Sequence, residues 1–396
     1  VGMFAGTIRH SGEVNANAIG TDDNGNVQLR AADNATVRPA GAGMQFAGEV
    51  VSVDAPVNVP GNVLVRADDL TIAAGVTVDS GNNVQLQNFS PGVGVAVSDA
   101  PVEGSLNITT AELDVMTAAS EIQIQSTGGG AVEVLTPVSS ANINAAGLSL
   151  SSSADVNVAA NIDFAGQNEN LTLSSVGTSQ VQATGATAVN VTAGNITVNG
   201  GGLRVAGPGS AATMTGVNGV NVDTNGGSVE ITAGAGIADL RSQMNLQVTT
   251  DGGRVAVQGG TGAGARARLA GDAGVTVNAG SGQIQLNAGT GGNADAIIEA
   301  NLGQGTVSLT TNDCVNCAAF EAGFEPGEAP TADNGVFAQT VRVATAPTLP
   351  APGEPAGNQQ GTALASSLLA SLRGQTPDPE AVLELVEIID EVAECK

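Results

Sequence analysis

The sequence predicts an all-β chain wound as a parallel β-solenoid, on three observations. Short runs alternate apolar and polar residues, the runs close in Asn, Ala and Gly, and aromatic residues are nearly missing. The stretch Gly274–Thr310 shows the first two. Val275-Thr-Val-Asn-Ala-Gly280 returns nine residues later as Ile284-Gln-Leu-Asn-Ala-Gly289, and Thr306-Val-Ser-Leu-Thr310 repeats the strand signal. Alternation of period two marks a strand with one buried face. Gly and Asn tolerate positive φ, so the Asn-Ala-Gly ending marks a bend. The unit also stands at Val189–Gly194 and Val229–Gly234. Its steps of 40 and 46 residues, from Val189 to Val229 and on to Val275, predict pairs of coils of roughly 20–23 residues each.

The third observation concerns the core. The chain has 396 residues with 2% aromatics, no Trp and no Tyr. An ordinary globular core relies on aromatic bulk. A solenoid core is a narrow stack of Val, Ile, Leu and Ala in which each coil buries the next, and its length has no set limit.

Taken in order, Thr7–His10, Glu13–Asn17 and Asn26–Arg30 read as strands, with a turn at Asp22–Gly25. The chain opens at Val1 inside this pattern, with neither a starting Met nor a charged leader, which predicts a mature or excised piece. It also shows no polar cap, so an open edge is expected at the first coil. From 41 to 310 the rhythm continues through Asn62–Val65, Asn83–Leu86, Glu121–Ile124 and Leu171–Leu173, and no window carries a helical period. Ser-rich Leu148–Asp155 and Gly-rich Gly259–Gly264 read as corners. About 15 coils stacked ~4.8 Å apart give a rod on the order of 70 Å.

The texture changes after Thr310. Val336–Val343 predicts a closing strand pair, and Ala346–Gly357 is rich in Pro. The expected division is a shaft over 1–345, a linker over 346–360 and a helical hairpin over 361–396. In the hairpin, Leu364, Leu368 and Leu372 recur at helical spacing. Asp378 is suited to an N-cap before Pro379. Val382, Leu385, Val386, Ile389 and Val392 form one apolar face, opposite Glu384, Glu387 and Glu391. That face is the candidate anchor or assembly surface.

Net charge is −26, from 38 acidic against 12 basic residues, and the only Lys is Lys396. This argues against nucleic acid or an anionic membrane as partner. It suits mutual repulsion between particles. No apolar run approaches a membrane span.

Little catalytic chemistry is on offer. His10 is the only histidine and reads as a surface residue of a strand, so no His-based triad can stand elsewhere in the chain. Asp22–Asp23 and Asp68–Asp69 are adjacent acids, whose side chains point to opposite faces of a strand. Gly264 stands where a Ca²⁺-binding β-roll repeat needs Asp. The Gly-rich run 259–264 lacks the strand–helix setting of a dinucleotide site. No enzyme, cofactor or metal site is expected.

Cys314, Cys317 and Cys395 are the only cysteines. Zinc would need four ligands, and only His10 could be added. The expectation is a Cys314–Cys317 loop pinning the end of the solenoid, or a bond from one of them to Cys395. Sequons stand at Asn34, Asn88, Asn107, Asn170, Asn190 and Asn195.

One stretch carries a family resemblance. Ala5-Gly-Thr-Ile8, Arg9, Ser11-Gly12 and Val14-Asn-Ala-Asn17, followed by Gly25-Asn-Val-Gln-Leu-Arg-Ala31, resemble the repeats of filamentous-haemagglutinin-like exoproteins of two-partner secretion. The resemblance implies a right-handed parallel β-helix, exported through an outer-membrane transporter partner to the bacterial surface or medium. There it serves as an adhesive shaft meeting cell-surface or matrix glycans. Some members close a C-terminal loop by a disulfide, which Cys395 echoes in part. The expected function is a non-catalytic structural or adhesive shaft. The alternatives are a filament subunit, with Val1–Arg9 stacking on Val336–Val343 of a neighbour, and third a polysaccharide-active β-helix enzyme.

Overall fold

The computed structural model describes residues 43–164, 169–300, 305–316 and 335–344 in full. It also describes the backbone of residue 334 and of five strands: Phe4–Ala5 (β1), Ala18–Thr21 (β2), Val27–Arg30 (β3), Thr36–Ala40 (β4) and Ala319–Ala322. The expected linker and helical hairpin lie outside the described residues.

Each full coil places one strand on each of three faces. Asn245–Thr249, Val255–Gln258 and Ala267–Gly271 make one coil; Gly274–Asn278, Gln283–Asn287 and Ala296–Ala300 make the next. Counterparts pair in parallel, with Leu246 beside Val275, Val257 beside Leu286 and Leu269 beside Ile298. The chain is therefore a parallel β-solenoid, as its alternation predicts.

The first face carries the longest ladder. It runs Met44, Val63, Val84, Ile122, Leu148, Leu171, Ile196, Val220, Leu246, Val275, Val307, Val341. From Val63 to Val307 every member is at most 2% exposed. The third face supplies Ile162, Val191, Met214, Leu240, Leu269 and Ile298 in the same way. Each inward residue fills the space above its counterpart, so a core one side chain deep has no use for Trp or Tyr.

The coil length and coil number differ from expectation. Twelve rungs span Met44–Val341, about 50 Å at the ~4.8 Å strand spacing, in place of 15 coils. The step is 21 residues from Val63 to Val84 and 34 from Val307 to Val341. The repeated Asn-Ala-Gly unit misleads because its copies occupy different faces: Val189 on the third, Val229 on the second, Val275 on the first. Spacing between faces is not a coil length.

Corners absorb the variation. Thr224–Gly227 is a type I′ turn, with the Gly227 N–H donating to the Thr224 carbonyl at 2.8 Å. Between them Asn225 and Gly226 take φ of 45° and 93°, as that turn requires. The Thr224 hydroxyl donates to the Gly227 carbonyl at 2.7 Å, and Thr250 repeats the bond to Gly253. The Gly-rich run 259–264 is a corner between the second and third faces, as expected, whereas the Ser-rich run is not: Gly147–Ser152 is a first-face strand and only residues 153–155 turn.

Two features correct the sequence reading. A short helix, α1 (Thr110–Asp114), interrupts the coil between Val84 and Ile122. Its signal is the capping box Thr109-Thr-Ala-Glu112: Glu112 accepts from the Thr109 N–H at 2.8 Å, and the Thr109 hydroxyl accepts from the Glu112 N–H. The first coil is also not an open edge. β4 pairs antiparallel with Gly43–Ala47, and β2 pairs parallel with Val50–Val53 while β3 and β1 continue antiparallel. Met44 turns its N–H away from β4 to the Asn62 carbonyl at 2.8 Å. Its partner Pro39 therefore turns its own nitrogen to the side away from Gly43–Ala47, where it has no hydrogen to donate.

Candidate functional site

The candidate site is the outward surface of the first face, which register creates and no single segment reveals. One row reads Gln85, Gln123, Ser149, Thr172, Thr197, Asn221, Gln247, Thr276, Ser308. The second reads Gln87, Gln125, Ser151, Ser174, Asn199, Asp223, Thr249, Asn278, Thr310. These eighteen positions hold one charged side chain, Asp223; Glu121 flanks Gln123, and Arg66 and Arg342 stand at the two ends of the rows. Two amide pairs lock neighbouring rungs: Gln85 donates to Gln123 at 2.6 Å and Gln87 to Gln125 at 2.7 Å. A shallow groove of about 620 Å³ runs along the corner beside the second row, past Ser126, Ser153, Val176 and Asn225.

Charge gathers on the third face instead. The Arg268 guanidinium donates to Asp239 at 2.9 Å and to Glu299 at 2.6 Å. All three side chains are nearly buried, and Arg266 approaches Asp239 at 3.8 Å. Burial works against the Arg268 charge, but Asp239 and Glu299 outweigh it and hold its pKa above the ordinary value. Beside them Arg241 bridges to Asp272 at 2.9 Å. These converging carboxylates are occupied by arginine.

The expected site residues are scattered. Cys314 is a disulfide cysteine; it takes an inward position over Ile284, at the end of the second-face ladder. Its candidate partners Cys317 and Cys395 lie outside the described residues. So do His10, Asp22, Asp23, and the apolar set Val382, Leu385, Val386, Ile389 and Val392. Asp68 is structural: its carboxylate accepts from the N–H groups of Phe89 and Ser90, both at 2.9 Å. Of the sequons, Asn88 is fully buried, with its amide donating to Ser90 and Thr127 carbonyls. Asn170, Asn190 and Asn195 are exposed.

Among the described residues, no helix is long and apolar enough to cross a membrane. Comparison with protein-family models, curated proteins and solved structures finds no match.

Proposed function

We propose that this chain is the non-catalytic shaft of a secreted bacterial surface or matrix protein, a right-handed parallel β-helix that supplies length and displays surface. The observation that carries this reading is the twelve-rung inward ladder from Met44 to Val341. Continuous apolar stacking with parallel backbone pairing at each rung gives axial stiffness. Outward hydroxyls and amides of the first face are left for display, and the acidic balance of the chain keeps neighbouring shafts apart. Export through an outer-membrane partner, and adhesion to cell-surface or matrix glycans, follow from the resemblance at residues 5–31.

A filament subunit is the second reading. The strand Thr340–Ala344 pairs only with Thr306–Thr310 among the described residues, and Val343 is 55% exposed where its counterparts are buried. The antiparallel strands and Pro39 at the other end stand against a head-to-tail joint through the first face.

Electron microscopy of the dilute protein tests both. Single rods with a straight segment of about 50 Å, set by the strand spacing, support the shaft. Continuous fibres with a regular axial repeat support the filament. Compact spheres overturn both.

A further inference from the structure

We propose that the first face binds an extended, uncharged polysaccharide of the β-1,4-linked cellulose–chitin type, laid along the solenoid axis across the rungs from Gln123 to Asn221. The proposal names the partner of the displaying surface, and so rests on the shaft reading.

Three observations carry it. The first is the segregation of charge: between Gln123 and Asn221 the two rows are uncharged except for Asp223 at one end, with Glu121 beside Gln123 at the other, while the Asp239–Arg268–Glu299 network lies on the third face. A surface of amides and hydroxyls loses less on drying than a charged one. A chain of net charge −26 repels polyanions. Both select a neutral partner.

The second is unused hydrogen-bonding capacity. Ser149, Ser151, Thr172, Ser174, Thr197 and Asn199 are half-buried, so the face is flat. Among the described residues none of these six side chains has a hydrogen-bond partner. Polar side chains at the corners, such as Thr224 and Thr250, spend theirs on backbone carbonyls. Short side chains set on a fixed sheet lose little rotamer freedom when they bind a ligand.

The third is spacing. Rungs recur about every 4.8 Å, close to the advance per sugar of an extended 1,4-linked chain, so successive sugars meet successive rungs. The groove at Ser153, Val176 and Asn225 borders this track and offers the exposed Val176 to a sugar's apolar edge. With no aromatic platform, each sugar is held weakly, and affinity rises with the number of rungs covered.

The test is co-sedimentation of the full chain with microcrystalline cellulose and with chitin, using alginate gel as the polyanionic control. Retention on cellulose or chitin is expected. It should weaken about tenfold in Thr197→Asp and in the Thr172→Ala/Thr197→Ala pair, which lose several hydrogen bonds between them. Thr215→Asp, on the third face of an adjoining rung, should bind as the parent does, and circular dichroism checks that each variant is folded. No retention on either neutral polymer overturns the proposal. So does retention on alginate alone, or equal loss in the Thr215 variant. Rods in the microscope with no retention would sink this proposal and leave the shaft reading standing. Retention by a particle that is not a rod would do the reverse.

Discussion

Gly253 lies so close to the carbonyl oxygen of Gly227 that no side chain, not even a methyl group, fits between them. The same close approach recurs along the corner, from Gly227 to the Gly201 carbonyl and from Gly282 to the Gly253 carbonyl. Consecutive coils touch backbone to backbone there. Gly253→Ala should force two coils apart at a cost of about 1–3 kcal/mol. Gly226 has φ of 93° and open space around it, so Gly226→Ala should strain only its own turn, by about 1–2 kcal/mol. Hydrogen exchange separates them. Gly253→Ala should loosen amides in the coils on both sides, and faster exchange confined in each variant to its own corner, 224–227 or 250–253, would contradict the packing account.

That glycine ladder marks the limit of what the sequence discloses. Strands were legible wherever alternation is local, as at Val275 and Ile284, because the period of two needs only a few residues. The relation between strands was not. Whether Val229 stacks on Val255 or on Val275 depends on corner lengths, and insertions at corners leave the strand pattern untouched. The Gln and Thr rows of the first face were hidden for the same reason, since Thr172 and Thr197 become neighbours only through register. Helix α1 is too short for a periodic signal, and only its capping box announces it.

Arg268 provides a test of buried electrostatics. Its side chain is 12% exposed, and those of Asp239 and Glu299 are 10% and 7%. Arg268→Met leaves two dry carboxylates without their shared donor, a loss of about 3–5 kcal/mol for a broken buried pair. The triple variant with Asp239→Asn and Glu299→Gln should recover most of that loss, since no uncompensated charge remains. Urea unfolding of both variants measures this, and equal midpoints for the single and triple variants would refute it.

Glu112 should make the α1 segment pH-sensitive. Burial is the largest influence on it and raises its pKa above the ordinary 4.5, against the bonds from Thr109 and Ile72. A carboxyl with a raised pKa binds its proton more tightly folded than unfolded. The segment is therefore most stable below 4.5 and loses stability as pH climbs through the folded-state value. Exchange protection of Thr110–Asp114 should fall across that range. Glu112→Gln keeps an acceptor for the Thr109 N–H and should flatten the dependence. A wild-type profile that rises with pH would contradict the burial account.

The disulfide of Cys314 makes a stoichiometric prediction. With three cysteines in the chain and Cys314 bonded to one of the other two, unfolding without reductant should expose one thiol per chain. Peptide mapping then finds Cys314 joined to Cys317 or to Cys395. The two pairings differ in consequence. A Cys314–Cys317 bond closes a short loop and constrains the unfolded chain little, whereas a bond to Cys395 closes a loop of about 80 residues and restricts it far more. Reduction should therefore lower the melting temperature slightly in the first case and by several degrees in the second. Cys314→Ser also places a hydroxyl over Ile284 at the end of the second-face ladder, so it should destabilise the last coil more than reduction does. Three free thiols before reduction would show that no bond forms.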